Sequence, residues 1–155
     1  MNSAAVADWY AREKGELVAA AWCVPEFARA LGIKQRTCAI DVQQAQGAWA
    51  RLERTVAADL RLLPVEPAHF HRSAELVLEP SSALRACDGL HLACAETAGA
   101  KHMATLNEVL SRNAQRLKIK LVVLHGEVTV GKSSKGRRSI AIAEVTVRPL
   151  AGAHR

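Results

Sequence analysis

Short apolar segments alternate with amphipathic segments along the first 124 residues, and this alternation restricts the possible fold more than any other feature. The apolar segments that resemble strands cover residues 16–22, 62–65, 102–106 and 121–124. Between them, apolar side chains recur three and four residues apart, which is the spacing of one helix face. Strands that alternate with helices usually form a parallel sheet. We therefore predict an α/β fold with a short-stranded, mainly parallel sheet and helices packed on it.

Local signals predict where several of the helices begin. Asp41 followed by Gln44 has the pattern of a capping box, in which each residue binds the backbone of the other. Pro67 suits the first position of a helix, where its missing N–H is not needed. Ser81 or Ser82 is expected to cap the next helix.

Length and composition indicate one domain with its own hydrophobic core. The chain has 155 residues, of which half are hydrophobic. None of its four cysteines forms a C-x-x-C pair, so zinc-ribbon and redox patterns are excluded. The N-terminal residues carry no basic segment of a signal peptide, and the longest apolar stretch, 17–25, is shorter than a membrane span. We expect a cytoplasmic protein without membrane contact.

Residues 125–155 differ from the rest and are predicted to form a separate basic extension beyond a domain at 1–124. The extension has six Lys and Arg against two Asp and Glu, whereas the first 124 residues have fifteen against thirteen. Its β-branched patches predict either a hairpin or a disordered arm. A basic segment of this kind can bind nucleic acid, but it can equally be a solvated terminus.

One carboxylate stands out on a helix that is apolar almost all round. Asp88 lies in the sequence LRACDGLHLACA, so we expect it to be buried. A buried carboxylate is costly unless it is paired or binds a cation. Two partners on the same helix are available, a hydrogen bond to His91 and an ion pair with Arg85. The sequence is therefore compatible with a structural role for Asp88 and with a functional one.

Two further polar residues follow predicted strands. Glu26 lies in the first turn of a helix after strand 16–22, and Asn107 follows strand 102–106. Glu26 can simply favour the helix dipole, and Asn107 can simply cap its helix. Both also lie where the carboxyl ends of parallel strands form a ligand crevice.

Three segments together resemble the PIN domain of VapC-type toxins, the ribonucleases of toxin–antitoxin pairs. They read ELVAAAWCVPEFARAL, LRACDGLHLACAETAGA and HMATLNEVLSRNAQRL, and the middle one is the most specific. The resemblance covers residues 3–124 and implies a three-layer α/β fold in which helices flank the sheet. It implies a metal-dependent endoribonuclease in which Glu26 and Asp88 are catalytic and, together with Asn107, bind Mg²⁺ or Mn²⁺. Carboxylate and amide oxygens are the ligands that such hard cations prefer.

The sequence also departs from the family pattern in two places. The resemblance implies a first strand ending in Asp, and here the match starts in the helix after it, as in an N-terminally truncated or degenerate member. Asn107 occupies the position at which the family usually has its fourth acidic residue. We therefore expect weak metal binding and impaired activity, or alternatively an inactive PIN-like module. The implied partners are an antitoxin protein, substrate RNA and a second copy in a homodimer.

The extension contains one segment that could replace the missing strand. Residues 139–147, SIAIAEVTV, begin with β-compatible apolar residues and carry Glu144 near their end. One hypothesis is that this segment pairs with strand 16–22 or 102–106 and that Glu144 replaces the lost acid. The alternative is a loosely packed extension.

Overall fold

A computed structural model describes residues 3–13, 15–122 and 139–142. Within these ranges the chain forms six helices and five strands. The helices are α1 Ser3–Arg12, α2 Cys23–Arg36, α3 Val42–Ala58, α4 Pro67–Leu78, α5 Ala86–Thr97 and α6 Glu108–Arg116. The strands are β1 Glu16–Ala20, β2 Leu60–Leu63, β3 His102–Ala104, β4 Lys120–Leu121 and β5 Ser139–Ile142.

All five strands belong to one parallel sheet with the order β2-β1-β5-β3-β4. The helices between the strands return the chain to the same end of the sheet, as parallel pairing requires. The predicted α/β fold with short parallel strands is therefore confirmed.

The inner position of β5 is the main feature of this sheet. Ser139–Ile142 pairs in parallel with β1 on one side and with β3 on the other. The hypothesis that the C-terminal segment enters the sheet is confirmed for these four residues, which form neither a hairpin nor a loose arm. Glu144 and the other predicted patch lie outside the described residues. The domain boundary at residue 124 stays a prediction.

Helix starts agree with two of the three local signals. Asp41 Oδ1 accepts the Gln44 N–H at 2.7 Å and Gln44 Oε1 accepts the Asp41 N–H at 2.9 Å, which confirms the capping box. Pro67 is the first residue of α4. The predicted serine cap of α5 is wrong, because Arg85 precedes the helix without a side-chain cap. Ser82 is instead buried, and its Oγ accepts the Leu84 N–H at 3.3 Å.

Apolar side chains fill both sides of the sheet, as alternation along a buried strand predicts. On one side Val18 and Met103 pack with α5 and α6 through Leu92 and Leu110. On the other side a second cluster contains Leu17, Ala19, Ala104 and Trp9, with Ile142 of β5 packed against it. No helix in the described part of the chain is long and apolar enough to cross a membrane.

Helices α4 and α5 pack closely at Gly89, and a side chain there is expected to destabilise the fold. A Cβ at Gly89 would lie 2.7 Å from Ser73 Oγ and 3.1 Å from the Ser73 carbonyl oxygen. The backbone contact cannot move away easily, so Gly89→Ala should cost about 1–3 kcal/mol of unfolding free energy by overpacking. Urea unfolding of Gly89→Ala measures this. Gly47→Ala is a matched control, since nothing lies within 4 Å of its added Cβ; equal stabilities of both variants would refute the close packing.

Candidate functional site

The carboxyl ends of β1 and β3 lead directly to two of the predicted site residues. Strand β1 continues into α2, which carries Glu26 in its first turn. Strand β3 is followed by Asn107, the N-cap of α6. Asp88 lies in the first turn of α5. Parallel strands end at one edge of the sheet, which is where open α/β folds bind ligands.

Glu26 binds a histidine of α5 instead of standing free. His91 Nε2 lies 2.6 Å from Glu26 Oε2, and an ionised carboxylate can only accept, so the Nε2–H donates. The His91 side chain is 5% exposed and that of Glu26 is 31% exposed. Of the two partners that the sequence offered Asp88, the hydrogen bond to His91 is therefore wrong: both residues lie on α5, but the partner of His91 is Glu26 of α2.

This contact determines the ionisation of Glu26. Burial by itself would raise the pKa of the Glu26 carboxyl, but the hydrogen bond and charge of His91 outweigh it, and the pKa is lowered. A hydrogen bond with the Cys87 thiol acts in the same direction. Trp22 also lowers this pKa, although its indole Nε1 makes no hydrogen bond within the described chain. His91, which makes the 2.6 Å contact, is therefore the main partner of Glu26.

Asp88 contacts the third predicted site residue. Asn107 Nδ2 donates to Asp88 Oδ1 at 3.4 Å, a long hydrogen bond. The sequence predicted that Asp88 is buried, but it is only half-buried. Among the described residues, Arg85 makes no ion pair with Asp88. The oxygen of Asn107 accepts the N–H groups of Val109 and Leu110, so Asn107 is a helix cap, as predicted.

The cysteines near this edge are free thiols of two kinds. Cys23 and Cys94 are buried, and burial raises the pKa of each to about 11, with the Glu26 charge adding to the effect at Cys23. Both are residues of the hydrophobic core. Cys87 is half-buried and contacts Glu26. Sequence reasoning missed this contact, since only the spacing of Cys87 and His91 on one helix hinted at a shared neighbour.

A metal ion fits this arrangement poorly. Glu26 is engaged by His91, and Asn107 turns its amide N–H, not its oxygen, toward Asp88. Among the described residues, no three His, Cys, Asp or Glu side chains are grouped so that they could hold an ion. Hard cations need several converging oxygens. The sites predicted from sequence are therefore brought to one edge, but as two protein-bound pairs.

Acidification is expected to remove the stabilising effect of the Glu26–His91 contact. The folded-state pKa of Glu26 lies below the ordinary 4.5, so its contribution is fully present above 4.5 and is lost as the pH falls through the lowered value. Urea unfolding of wild type and Glu26→Gln between pH 7 and pH 3 measures the difference in unfolding free energy. We expect that difference to shrink toward the acid end. A difference that does not change with pH would contradict this assignment.

Comparison with known proteins identifies the family. The PIN domain profile matches residues 2–116, which is most of the chain and includes Glu26, Asp88 and Asn107. Searches of curated proteins and of solved structures give no significant match. The matched residues contain α1 to α6 and strands β1 to β3, the elements that build the edge described above. The chain belongs to the PIN-domain family, whose members are generally nuclease-like.

Proposed function

We propose that this chain is a VapC-type PIN protein of a toxin–antitoxin pair, with little or no ribonuclease activity. The observation that carries the proposal is the engagement of both acids by protein groups: Glu26 by His91, and Asp88 by Asn107. The family resemblance supports an endoribonuclease ancestry, cytoplasmic location and a homodimer. The contacts of the acids support the proposal that catalysis is weak.

Two carboxylates are too few for the chemistry that the resemblance implies. A divalent ion neutralises phosphate charge and activates water only if protein oxygens fix it. Glu26 would have to leave His91, and Asn107 would have to rotate its amide and give up two backbone hydrogen bonds. Each of these changes costs free energy, because the polar groups left behind are at least partly buried. We propose that Mg²⁺ or Mn²⁺ binds weakly for this reason.

A second candidate function is binding without catalysis, and one surface favours it. A groove of about 440 Å³ lies between α4 and α5 and reaches Trp22, next to the candidate site. Phe70 and Leu78 line it and are 52% and 78% exposed. An apolar groove of this kind accepts the apolar face of a helix. We propose an antitoxin helix as its ligand, and RNA as the alternative partner of the module.

An RNA cleavage assay tests the proposal. The purified full chain is incubated with mixed cellular RNA and Mg²⁺ or Mn²⁺, beside Asp88→Ala. We expect both proteins to leave the RNA intact to the same extent. Cleavage by the wild type that Asp88→Ala abolishes would refute the loss of activity and restore a functional toxin. Cleavage that Asp88→Ala does not change would indicate a contaminating nuclease.

A further inference from the structure

We propose that the position between β1 and β3 is a strand-binding slot that accepts Ser139–Ile142 from a second copy of this chain as well as from its own. In the exchanged dimer, each copy completes the sheet of the other. This inference rests on the sheet and not on ribonuclease activity.

The slot needs a strand on both of its sides. Strand β1 pairs with β5 through Glu16 to Val18, and β3 pairs with it through His102 to Ala104. Without β5 the sheet order leaves two separate pairs, β2-β1 and β3-β4. Each pair would expose an edge of backbone N–H and C=O groups in the middle of the domain, which is unfavourable unless another strand covers it.

A hydrophobic core cluster links the two walls of the slot through helices α5 and α6. Val18 of β1 and Met103 of β3 are both 0% exposed and belong to one cluster with Leu92 and Leu110 of α5 and α6. Helix α5 contacts β1 and α6, so the walls are linked through the helices on this side of the sheet as well as through β5. Removal of the strand leaves these contacts in place, so the slot can persist long enough to accept a strand.

The connection to β5 is long enough to let the strand leave. Strand β5 lies two positions from β4, or about 10 Å across the sheet. The 16 residues 123–138 can span about 50 Å when extended. This length permits insertion into the chain's own slot without enforcing it.

Exchange costs little free energy because the strand makes identical contacts in either copy. The two forms differ in the path of the connection and in the entropy of association, which is the situation of domain swapping. A tethered strand has an effective concentration of about 1 mM near its own slot. We therefore expect exchange to increase with protein concentration and after mild destabilisation.

A disulfide between different copies tests the exchange. The register places Ala141 beside Val18 and beside Met103. Full-length Val18→Cys and Ala141→Cys proteins, both with exposed Cys38 changed to Ser, are mixed at high concentration in mild urea, diluted and oxidised. We expect a covalent dimer that is joined through positions 18 and 141, as mass spectrometry can identify. The yield of this dimer should increase with the starting protein concentration. Met103→Cys in place of Val18→Cys repeats the test from the other wall.

The control is one chain that carries Val18→Cys and Ala141→Cys together, which should close within itself when diluted before oxidation. If this chain closes but the mixed single variants never join at any concentration, β5 stays in its own slot and the proposal fails. If no disulfide to position 141 forms from position 18 or from position 103, either within one chain or between chains, the slot does not hold this strand and the proposal also fails. Val18→Cys mixed with Cys38→Ser protein should give no dimer.

Discussion

Ala141→Pro is expected to lower the free energy of unfolding by about 2–3 kcal/mol, because an inner strand cannot replace a lost ladder hydrogen bond. Ala141 pairs with Val18 on one side and with Met103 on the other, so the proline lies between two strands. The neighbouring carbonyl group would be left buried without a donor. Urea unfolding at pH 7 measures the change.

Ala141→Gly is the matched control for this substitution. Glycine keeps the backbone N–H that proline lacks, although it loses the Cβ, and glycine in a strand interior costs about 0.5–1 kcal/mol relative to alanine. We expect proline to destabilise clearly more than glycine. Two variants as stable as the wild type would show that the C-terminal segment does not complete the sheet.

His91→Ala is expected to destabilise the protein by about 2 kcal/mol, since it leaves the partly buried Glu26 carboxylate without its main donor. Glu26 is 31% exposed, and solvent therefore reduces the penalty compared with a fully buried pair. The same substitution should raise the affinity for Mn²⁺, because the oxygens of Glu26 become available. Urea unfolding and calorimetry measure the two effects separately.

A double-mutant cycle isolates the contact from other effects of the substitutions. Glu26→Gln, His91→Ala and the combined variant are compared at pH 7, and the interaction free energy should favour the native pair. His91 Nδ1 has no hydrogen-bond partner within the described residues, so Glu26 is the contact that orients this ring. Strictly additive effects together with unchanged Mn²⁺ affinity would contradict the account of the site.

The alternation of segments predicted most of the fold because each strand is bounded by its own helix signals. β1 and β3 lie within the predicted segments, and Asp41 begins α3 through the capping box that its spacing with Gln44 indicated. The strand β5 was different. The sequence SIAI is equally compatible with a hairpin, an arm or an inner strand, and the choice depends on a gap in a sheet formed by residues far away in the chain.

The positions of the candidate residues at one edge of the sheet followed from the sequence, but their contacts did not. Glu26 and Asn107 were placed correctly because both follow strands that end at one edge of a parallel sheet. The pairing of His91 with Asp88 was wrong, although spacing along α5 favours it. The packing of α2 against α5 instead brings Glu26 Oε2 to 2.6 Å from His91 Nε2. Helical spacing reports neighbours on one helix only, and it contains no information about a carboxylate from another element.

Calorimetric titration of the full chain with Mn²⁺ at pH 7 tests the central claim most directly, namely that protein groups already occupy the acids of this PIN domain. We predict no saturable binding in the micromolar range for the wild type, and tighter binding after Asn107→Asp adds a carboxylate beside Asp88. Micromolar binding by the wild type that Asp88→Ala abolishes would contradict the claim, because the acids would then be available to a metal ion as the chain stands.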